Sequence, residues 1–499
     1  MTRDTHQDGC VVCSIREPDL ASTEHRLQQA APGCALVEIR GDHLAAEELA
    51  ALVSGTKRPV IVTIRRVDED GGFEGTETER RRLLLGALAA GAGFIDVELN
   101  SELRDLADSD EAARVILSDH GAPCDASTLA TIYRRMAKTR AGRLKLVPIA
   151  RAPRDAAAVR STLSDAVRDK RSLACFASGR AGALTRLMAP VWGSWATYGA
   201  VERGAETAEG QFTATDLLEV YDVTRGAADT RHFAIIGNAV LGSPSPAMHA
   251  AGYRAAAIDA RYLPLETDRL EDCEELLGRD GLLGLCGLAV TIPFKETAAA
   301  RCGRLDEIAR ASGAVNTVLF EGGGWAGYNT DGPAILSLLR THIDPAGARV
   351  AVVGAGGTAR AAAAVLSARG ARVTLYNRTP SRARQAARTL GVAVAALEEL
   401  EKADWDVLVQ ATPLGARGER VLPAERIVGS VVLDAVYGPD TALVQDARQR
   451  GIAAIDGFDL LVEQALLQFE LMTGRRPAAE RMRAAGRAWL TQRRIVRSG

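Results

Sequence analysis

Val350-Ala-Val-Val-Gly-Ala-Gly-Gly357 decides the fold of the second half of this 499-residue chain. Its apolar β-rich start reads as a buried strand, its glycines as a tight turn, and the alanine-rich run 358–368 after it as a helix. Strand, glycine turn and helix in that order bring backbone N–H groups and a helix N-terminus up to a pyrophosphate. The glycine pattern alone is a weak signal, and Ala359 occupies its third glycine position. The surroundings strengthen it. A second strand, 372–376, runs into Asn377-Arg378-Thr379, where an NAD site would usually carry an acid for the ribose hydroxyls. Arginine suits a 2′-phosphate instead, so NADP (NADPH) is the expected cofactor, held by Gly354, Gly356, Gly357, Asn377, Arg378 and Thr379.

Outward from that turn the chain keeps alternating. Upstream, β-rich runs at 11–16, 35–40, 60–65, 94–99, 114–118, 144–149, 173–177 and 195–198 are interleaved with amphipathic helical patterns such as 77–90, 127–138 and 155–167. Strand then helix, eight times over, implies a closed (β/α)8 barrel. The polar stretch 224–230 marks its end, and a new α/β series opens at His232. The expected organisation is α/β throughout: a barrel over 1–226, an α/β substrate domain over 231–338, a Rossmann domain over 339–473, and a C-terminal helix, 474–499, returning to the substrate domain.

A hydrophobic fraction of 47% and a charged fraction of 25% are those of a soluble globular protein. A net charge of −2 gives no reason to expect nucleic acid or an anionic membrane as partner. Met1 to Gly9 holds no apolar run of signal-peptide type, and no stretch is long and apolar enough to span a bilayer. Eight cysteines are too sparse for a disulfide framework and suit the cytoplasm. Cys10-Val-Val-Cys13 lacks the second pair that a metal site would need and sits in a strand pattern, so it reads as two small buried residues. No metal is expected.

In the front half the polar residues fall at strand ends, the side on which barrels carry their sites. Glu38 and Arg40 end the second strand, Arg65 and Arg66 the third, His120 follows the fifth, and Lys145 lies within the sixth. A lysine among Leu144, Leu146 and Val147 reads either as a side chain snorkelling to the rim or as a Schiff-base amine. Val37-Glu-Ile-Arg40, Val62-Thr-Ile-Arg65, Asp96-Val-Glu98, Ile116-Leu-Ser-Asp-His120, Leu144-Lys-Leu146, Leu184-Thr-Arg186 and Thr207-Ala-Glu-Gly-Gln211 together resemble type I 3-dehydroquinate dehydratase. The resemblance implies that Lys145 forms a Schiff base with the substrate ketone and His120 moves the proton. It implies that Arg186 holds the carboxylate, and that Glu38, Arg40, Arg65, Thr207 and Gln211 complete the substrate site. Glu69 or Asp70 would orient His120. Glu209 stands where the family has proline, in the substrate-covering loop.

In the back half, Ser243-Pro-Ser-Pro246, Val290-Thr-Ile-Pro-Phe-Lys295, Gly313-Ala-Val-Asn-Thr317 and Gly327-Tyr-Asn-Thr-Asp331 could each be a structural turn. In this order they resemble shikimate dehydrogenase. That resemblance implies Lys295 and Asp331 as the catalytic pair, Ser243 and Ser245 on the substrate carboxylate, and Thr291, Asn316 and Gln464 on ring hydroxyls, with Tyr437 nearby. Thr412-Pro-Leu-Gly415 is similar to the segment beside the nicotinamide, with Gln410 where an asparagine is usual.

One half would make the substrate of the other, so fusion couples consecutive steps. Two other readings are a dehydrogenase with a degenerate barrel or a quinate preference, and a metabolite-sensing regulator. The regulator predicts erosion at Lys145, His120, Lys295 or Asp331, and all four are intact.

Overall fold

Short, mostly apolar strands, some with polar residues at alternate positions such as Glu38 and Arg40 or Asp96 and Glu98, build the first sheet. The computed structural model describes residues 9–225, 229–438 and 440–498. By contacts the described chain divides into two units, one running to Thr230 and taking in Leu265–Leu276, the other Arg231–Pro264 with Leu277–Gln492. In the first unit, β1 (Cys10–Ile15), β2 (Leu36–Arg40), β3 (Val60–Thr63), β4 (Phe94–Glu98), β5 (Val115–Pro123), β6 (Arg143–Ile149), β7 (Leu173–Cys175) and β8 (Ala196–Ala200) lie in the order β7-β6-β5-β4-β3-β2-β1-β8. Neighbours are parallel, from β1 against β2 and β8 round to β6 against β7. The seam between β7 and β8 is held by Trp195 N to Leu173 O at 3.2 Å and by Cys175 N to the Ser194 hydroxyl at 3.3 Å. With only three residues in β7, no ladder forms there, and the sheet is a nearly closed (β/α)8 barrel.

All eight expected strands are present, and several of the helices between them start on capping residues. Thr76 and Glu79 form a reciprocal capping box for Glu77–Ala89, and Asp125 caps Ala126–Ala137. One expectation needs correcting: β5 continues to Pro123, so His120 lies inside the strand and not after it. The apolar run stops at Leu117, where periodicity ends, but the strand continues with Ser118 and His120 at alternate positions. Of the expected boundary 224–230, residues 226–228 lie outside the described residues, as do 1–8 of the N-terminal segment.

The second unit contains two sheets. β9 (Arg231–Gly237), β10 (Ala260–Glu266), β11 (Leu285–Val290), β12 (Arg304–Leu305), β13 (Thr317–Glu321) and β14 (Gly324–Tyr328) run in the order β10-β9-β11-β13-β14-β12. β9 and β11 are parallel, while β13 runs antiparallel to both β11 and β14. Phe233, Met248, Tyr253 and Tyr262 form its core with Phe458, Val462 and Phe469 of the helix Gly457–Thr473 and Met482 of the helix Ala479–Ser498.

β15 (Arg349–Val353), β16 (Arg372–Asn377), β17 (Ala393–Ala396), β18 (Val407–Gln410), β19 (Val431–Asp434) and β20 (Ala453–Ile455) form a parallel sheet ordered β17-β16-β15-β18-β19-β20. Counted from β15 this is 3-2-1-4-5-6, the doubly wound dinucleotide-binding order. Alanines 359, 362 and 363 of the helix Gly357–Ser367 are fully buried in its core, and such small side chains let the helix lie close to the sheet. Gly354 turns the chain at φ +115°, a region that disfavours side chains, and a Cβ there would stand 2.9 Å from Thr412 Cγ2.

Candidate active sites

Period-two alternation aims one set of barrel residues inward: Ser14, Glu38, Thr63, Asp96, Ser118 and Lys145 are all buried. Lys145 Nζ donates to Glu38 Oε1 and Asp96 Oδ2, each at 3.1 Å, and lies 4.3 Å from the Tyr198 ring centre. Glu38 also accepts from Ser14 at 2.5 Å and Thr63 at 2.9 Å. Burial would raise the Glu38 pKa, but Lys145, Arg40 and the Ser14 hydroxyl outweigh it and hold it at about 2. Asp96 is likewise lowered, its burial offset by Lys145, Arg65 and Ser118. Glu98, with one oxygen lacking a hydrogen bond, is raised by burial despite Arg65 and Arg80. The lysine is thus gripped by two carboxylates that stay ionised.

His120 faces Arg65. Its Nδ1 lies 2.6 Å from Arg65 Nη1, and because guanidinium can only donate, Nδ1 is the acceptor and the proton sits on Nε2. Burial first, then the Arg65 and Lys145 charges, hold its pKa well below 6.5, so the ring is neutral. The expectation that Glu69 or Asp70 orients His120 is corrected here, since both line the cavity but the ring's hydrogen bond goes to Arg65. Arg65 is fixed in turn by Asp96 at 2.9 Å, and its backbone N–H by Asp42, which also takes Arg40 at 2.7 Å.

Arg186 on the helix Ala183–Met188 supplies a further cation. It is 1% exposed, its guanidinium lies over Phe176 at 4.8 Å, and no acid pairs with it among the described residues. Burial alone pulls its pKa down to about 10. Glu38, Arg40, Arg65, His120, Lys145, Arg186, Thr207 and Gln211 all line one cavity of ≈ 490 Å³. Thr207 and Gln211 bond to each other at the mouth. The anchors Asp96 and Asp42 were not read as site residues. Carboxylates at 96 and 98 on an otherwise apolar strand were the available signal for the first; nothing local marked the second.

In the second unit, strand ends again gather the polar residues. Thr291 follows β11, Asn316 precedes β13 and its carbonyl accepts from Val290 N at 2.8 Å, and Asp331 follows β14. Lys295 Nζ pairs with Asp331 Oδ2 and reaches Thr358 Oγ1 at 3.0 Å. Asn316 Nδ2 donates to the other Asp331 oxygen at 2.7 Å. Burial raises the Asp331 pKa less than Lys295 and these hydrogen bonds lower it, so it remains a carboxylate. Ser243 and Ser245 are buried and bonded to each other at 3.1 Å.

Lys295 opens on a cavity of ≈ 850 Å³ that also takes in Gly354, Gly356, Gly357, Asn377, Arg378, Thr379 and Thr412. A pyrophosphate fits its floor: the turn ends at a helix N-terminus, and a Cβ at Gly356 would project into open space. Gln410 is fully buried. It accepts from Thr412 N and Oγ1 and donates to the carbonyls of Thr412 and Leu414, stapling the loop that borders the cavity. Two expected residues are not brought in. Tyr437 is 43% exposed and outside the cavity lining, and Gln464 donates to its own helix at Leu461 O. One turn later, buried Gln468 reaches Asn316 O and Thr317 Oγ1 at 3.0 Å each. The pair of glutamines four apart was visible in the sequence, but which of them faces Asn316 depends on how the helix docks.

A barrel with a lysine–histidine site, joined to a substrate domain and a doubly wound domain with a glycine turn, defines a two-site α/β enzyme. A family model described as Type I 3-dehydroquinase matches residues 11–227. Others match the Shikimate dehydrogenase substrate binding domain at 235–318, Shikimate / quinate 5-dehydrogenase at 338–421, and the Shikimate 5′-dehydrogenase C-terminal domain at 457–485. The chain is similar to the chloroplastic bifunctional 3-dehydroquinate dehydratase/shikimate dehydrogenase of Arabidopsis thaliana, 32% identical over 476 residues, spanning 89% of this chain and 78% of that protein. It is also similar to the NADP+ shikimate dehydrogenase of Halobacterium salinarum, 40% identical over 265 residues, 52% of this chain and 99% of that one. A solved shikimate dehydrogenase in complex with NADP+ superposes with a TM-score of 0.50 at 28% identity, over 53% of this chain and 97% of that one. The chain belongs to the family of bifunctional 3-dehydroquinate dehydratase/shikimate dehydrogenases. It is a lyase and an oxidoreductase of the shikimate pathway.

Proposed function

We propose that the barrel dehydrates 3-dehydroquinate on Lys145 and that the second unit reduces the product, 3-dehydroshikimate, to shikimate with NADPH. The observation that carries this reading is Arg186, a buried guanidinium that lines the cavity holding Lys145 and His120 and has no acid paired with it among the described residues. Such a charge is costly until an anion completes it, and a substrate carboxylate is that anion. With the ring so anchored, the Lys145 amine attacks the ketone. Once the side chain has given up one proton, Nζ keeps two N–H bonds for Glu38 and Asp96 and a lone pair for the carbon. The oxygen of the resulting carbinolamine takes one proton from the attacking nitrogen and the proton that Nζ gave up, leaves as water, and an iminium forms. Electron withdrawal by the iminium acidifies the adjacent C–H, and His120 takes that proton. The enamine then expels the β-hydroxyl, which collects the proton from His120 and departs as water. Hydrolysis of the remaining iminium frees the enone and restores the amine.

In the second unit Ser243 and Ser245 hold the carboxylate and Thr291 a ring hydroxyl. Asn316 acts through Asp331, to which its amide is committed. NADPH supplies the hydride when bound, its pyrophosphate at Gly354, Gly356 and Gly357 and its 2′-phosphate at Arg378. Lys295 gives a proton to the oxygen of the reduced carbonyl, and Asp331 keeps the ammonium in line. Among the described residues no helix is long and apolar enough to cross a membrane. All eight cysteines are free, which fits a reducing, cytoplasmic setting.

The test gives the purified protein 3-dehydroquinate without NADPH, follows enone absorbance, then adds NADPH and follows its oxidation. Borohydride added during the first stage should fix a reduced substrate adduct on Lys145. Absence of both enone and adduct, with 3-dehydroshikimate still consuming NADPH, would leave only the dehydrogenase.

A further inference from the structure

Thr358 is the second residue of the helix Gly357–Ser367, at the end of the glycine turn, and it lines the cofactor cavity. Its hydroxyl accepts from Lys295 Nζ at 3.0 Å and donates to Asp331 Oδ2 at 2.9 Å. Since Lys295 also pairs with that same Asp331 oxygen, the three side chains close a ring of hydrogen bonds. We propose that Thr358 is a positioning residue of the reduction step, fixing the direction of the Lys295 proton from the helix that receives the cofactor pyrophosphate. This rests on the reading of Lys295 and Asp331 as the catalytic pair.

The argument is one of donor geometry. An ammonium has three N–H bonds at tetrahedral angles. Asp331 takes one and Thr358 a second, so the third has a single direction left, into the cavity that Lys295 also lines. Without the threonine oxygen only one N–H is fixed, and the ammonium can rotate about the axis of its ion pair. The placement has a second consequence. The first-turn N–H groups of a helix have no intrahelical partners and face an incoming anion. Thr358 therefore presents backbone to the cofactor side and its hydroxyl to the proton donor. Arg360, two residues on, pairs with Glu296 at 2.9 Å and so fastens the same helix beside Lys295. The helix start is thereby held in register with the lysine by two side chains, of which only Thr358 touches the pair itself. Valine at 358 would keep the β-branched shape and remove only the oxygen.

The experiment compares wild type with Thr358→Val, Thr358→Ala, Thr358→Ser and Lys295→Met in the full chain. In Thr358→Val, kcat for NADPH-dependent reduction should fall about tenfold or more, because orientation of the proton donor is lost. KM for 3-dehydroshikimate should stay within about twofold, because the interaction acts on the transition state and not on substrate binding. The isotope effect from 4-deuterated NADPH should rise as the chemical step becomes limiting, and Thr358→Ser should restore both. NADP+ affinity by calorimetry should be unchanged. In cofactor-free protein, acetic anhydride labelling of Lys295, read by peptide mass spectrometry, should be faster in Thr358→Val and Thr358→Ala than in wild type or Thr358→Ser. Retained NADP+ binding by the same samples reports that the second unit folds in each variant, and Thr358→Ala stands in if the valine variant does not fold. A kcat within about twofold of wild type in the variants lacking the hydroxyl, or a fall that serine does not restore, overturns the role of Thr358. If Lys295→Met still reduces substrate at the wild-type rate, the catalytic pair itself is wrong and this inference goes with it. If Lys295→Met is dead while Thr358→Val is untouched, the pair stands and only Thr358 is demoted.

Discussion

Replacing Arg186 with methionine should make the free barrel more stable while destroying its affinity for dehydroquinate. Core truncations ordinarily do the reverse of the first. Arg186 is 1% exposed, has no acid partner among the described residues and leaves Nε without a hydrogen bond. Burial alone pulls its pKa down to about 10, well below the ordinary guanidinium range. That difference corresponds to roughly 3 kcal/mol held against folding, because at neutral pH both the folded and unfolded chains carry the charge. Methionine fills similar space against Phe176 with an unbranched, polarizable chain. A gain of about 1–3 kcal/mol is expected, or about 2–10 °C for a unit of this size. The lost contact to a substrate carboxylate, at roughly 1.5–3 kcal/mol for each charge-assisted bond, raises KM for dehydroquinate about a hundredfold or more. Thermal melting of the full chain measures the first effect, the barrel transition being the one that added 3-dehydroquinate shifts in Lys145→Ala, which binds it without turnover. Enone formation measures the second. A variant that melts several degrees lower with KM unchanged would refute the uncompensated-charge argument and the substrate role together.

Three further outcomes follow from the sites. Because burial and Arg65 hold His120 well below its ordinary 6.5, its basic form persists on acidification, so kcat/KM for dehydroquinate should stay level from pH 8 to below 6.5. Arg65→Met should move that acid limb upward, and a wild-type limb at or above 6.5 would count against the assignment. Arg378→Ala should weaken NADPH about tenfold, the lower end for a charge-assisted contact since Arg378 is exposed, and leave NADH unaffected. Equal losses with both cofactors would remove the 2′-phosphate reading. His249 is fully buried, stacked on Tyr262 at 4.1 Å, and burial lowers its pKa to about 3. The unfolded chain takes up this proton from 6.5 downward while the folded one does not. The stability is therefore complete above 6.5 and lost progressively as pH falls from there toward 3, by about 1.4 kcal/mol between pH 7.5 and 5.5. His249→Leu should lack that increment in pH-dependent melting, and an unchanged pH slope would argue that the histidine is hydrated.

Much was legible in the sequence because it is local. Strand positions follow from runs such as Val60–Thr63, the Rossmann turn from Gly354, Gly356 and Gly357, and the chemistry from the residue types Lys145, His120, Lys295 and Asp331. Alternation even assigns Glu38 with Arg40, and Asp96 with Glu98, to shared faces before any strand is paired. What only the tertiary structure decided is which of those groups meet. The Lys145 carboxylate partners come from strands 107 and 49 residues away, and the His120 partner is an arginine 55 residues upstream in place of Glu69 or Asp70. Barrel closure sets those pairings, since inward side chains meet across an interior whose layering depends on strand tilt and stagger. The same holds for Gln468 over Gln464, and for Thr358, a helix-start residue whose hydroxyl meets the catalytic pair only because one helix docks against the end of another sheet. Sequence period fixes the face a residue occupies. The partner across that face is fixed by packing, which no local pattern encodes.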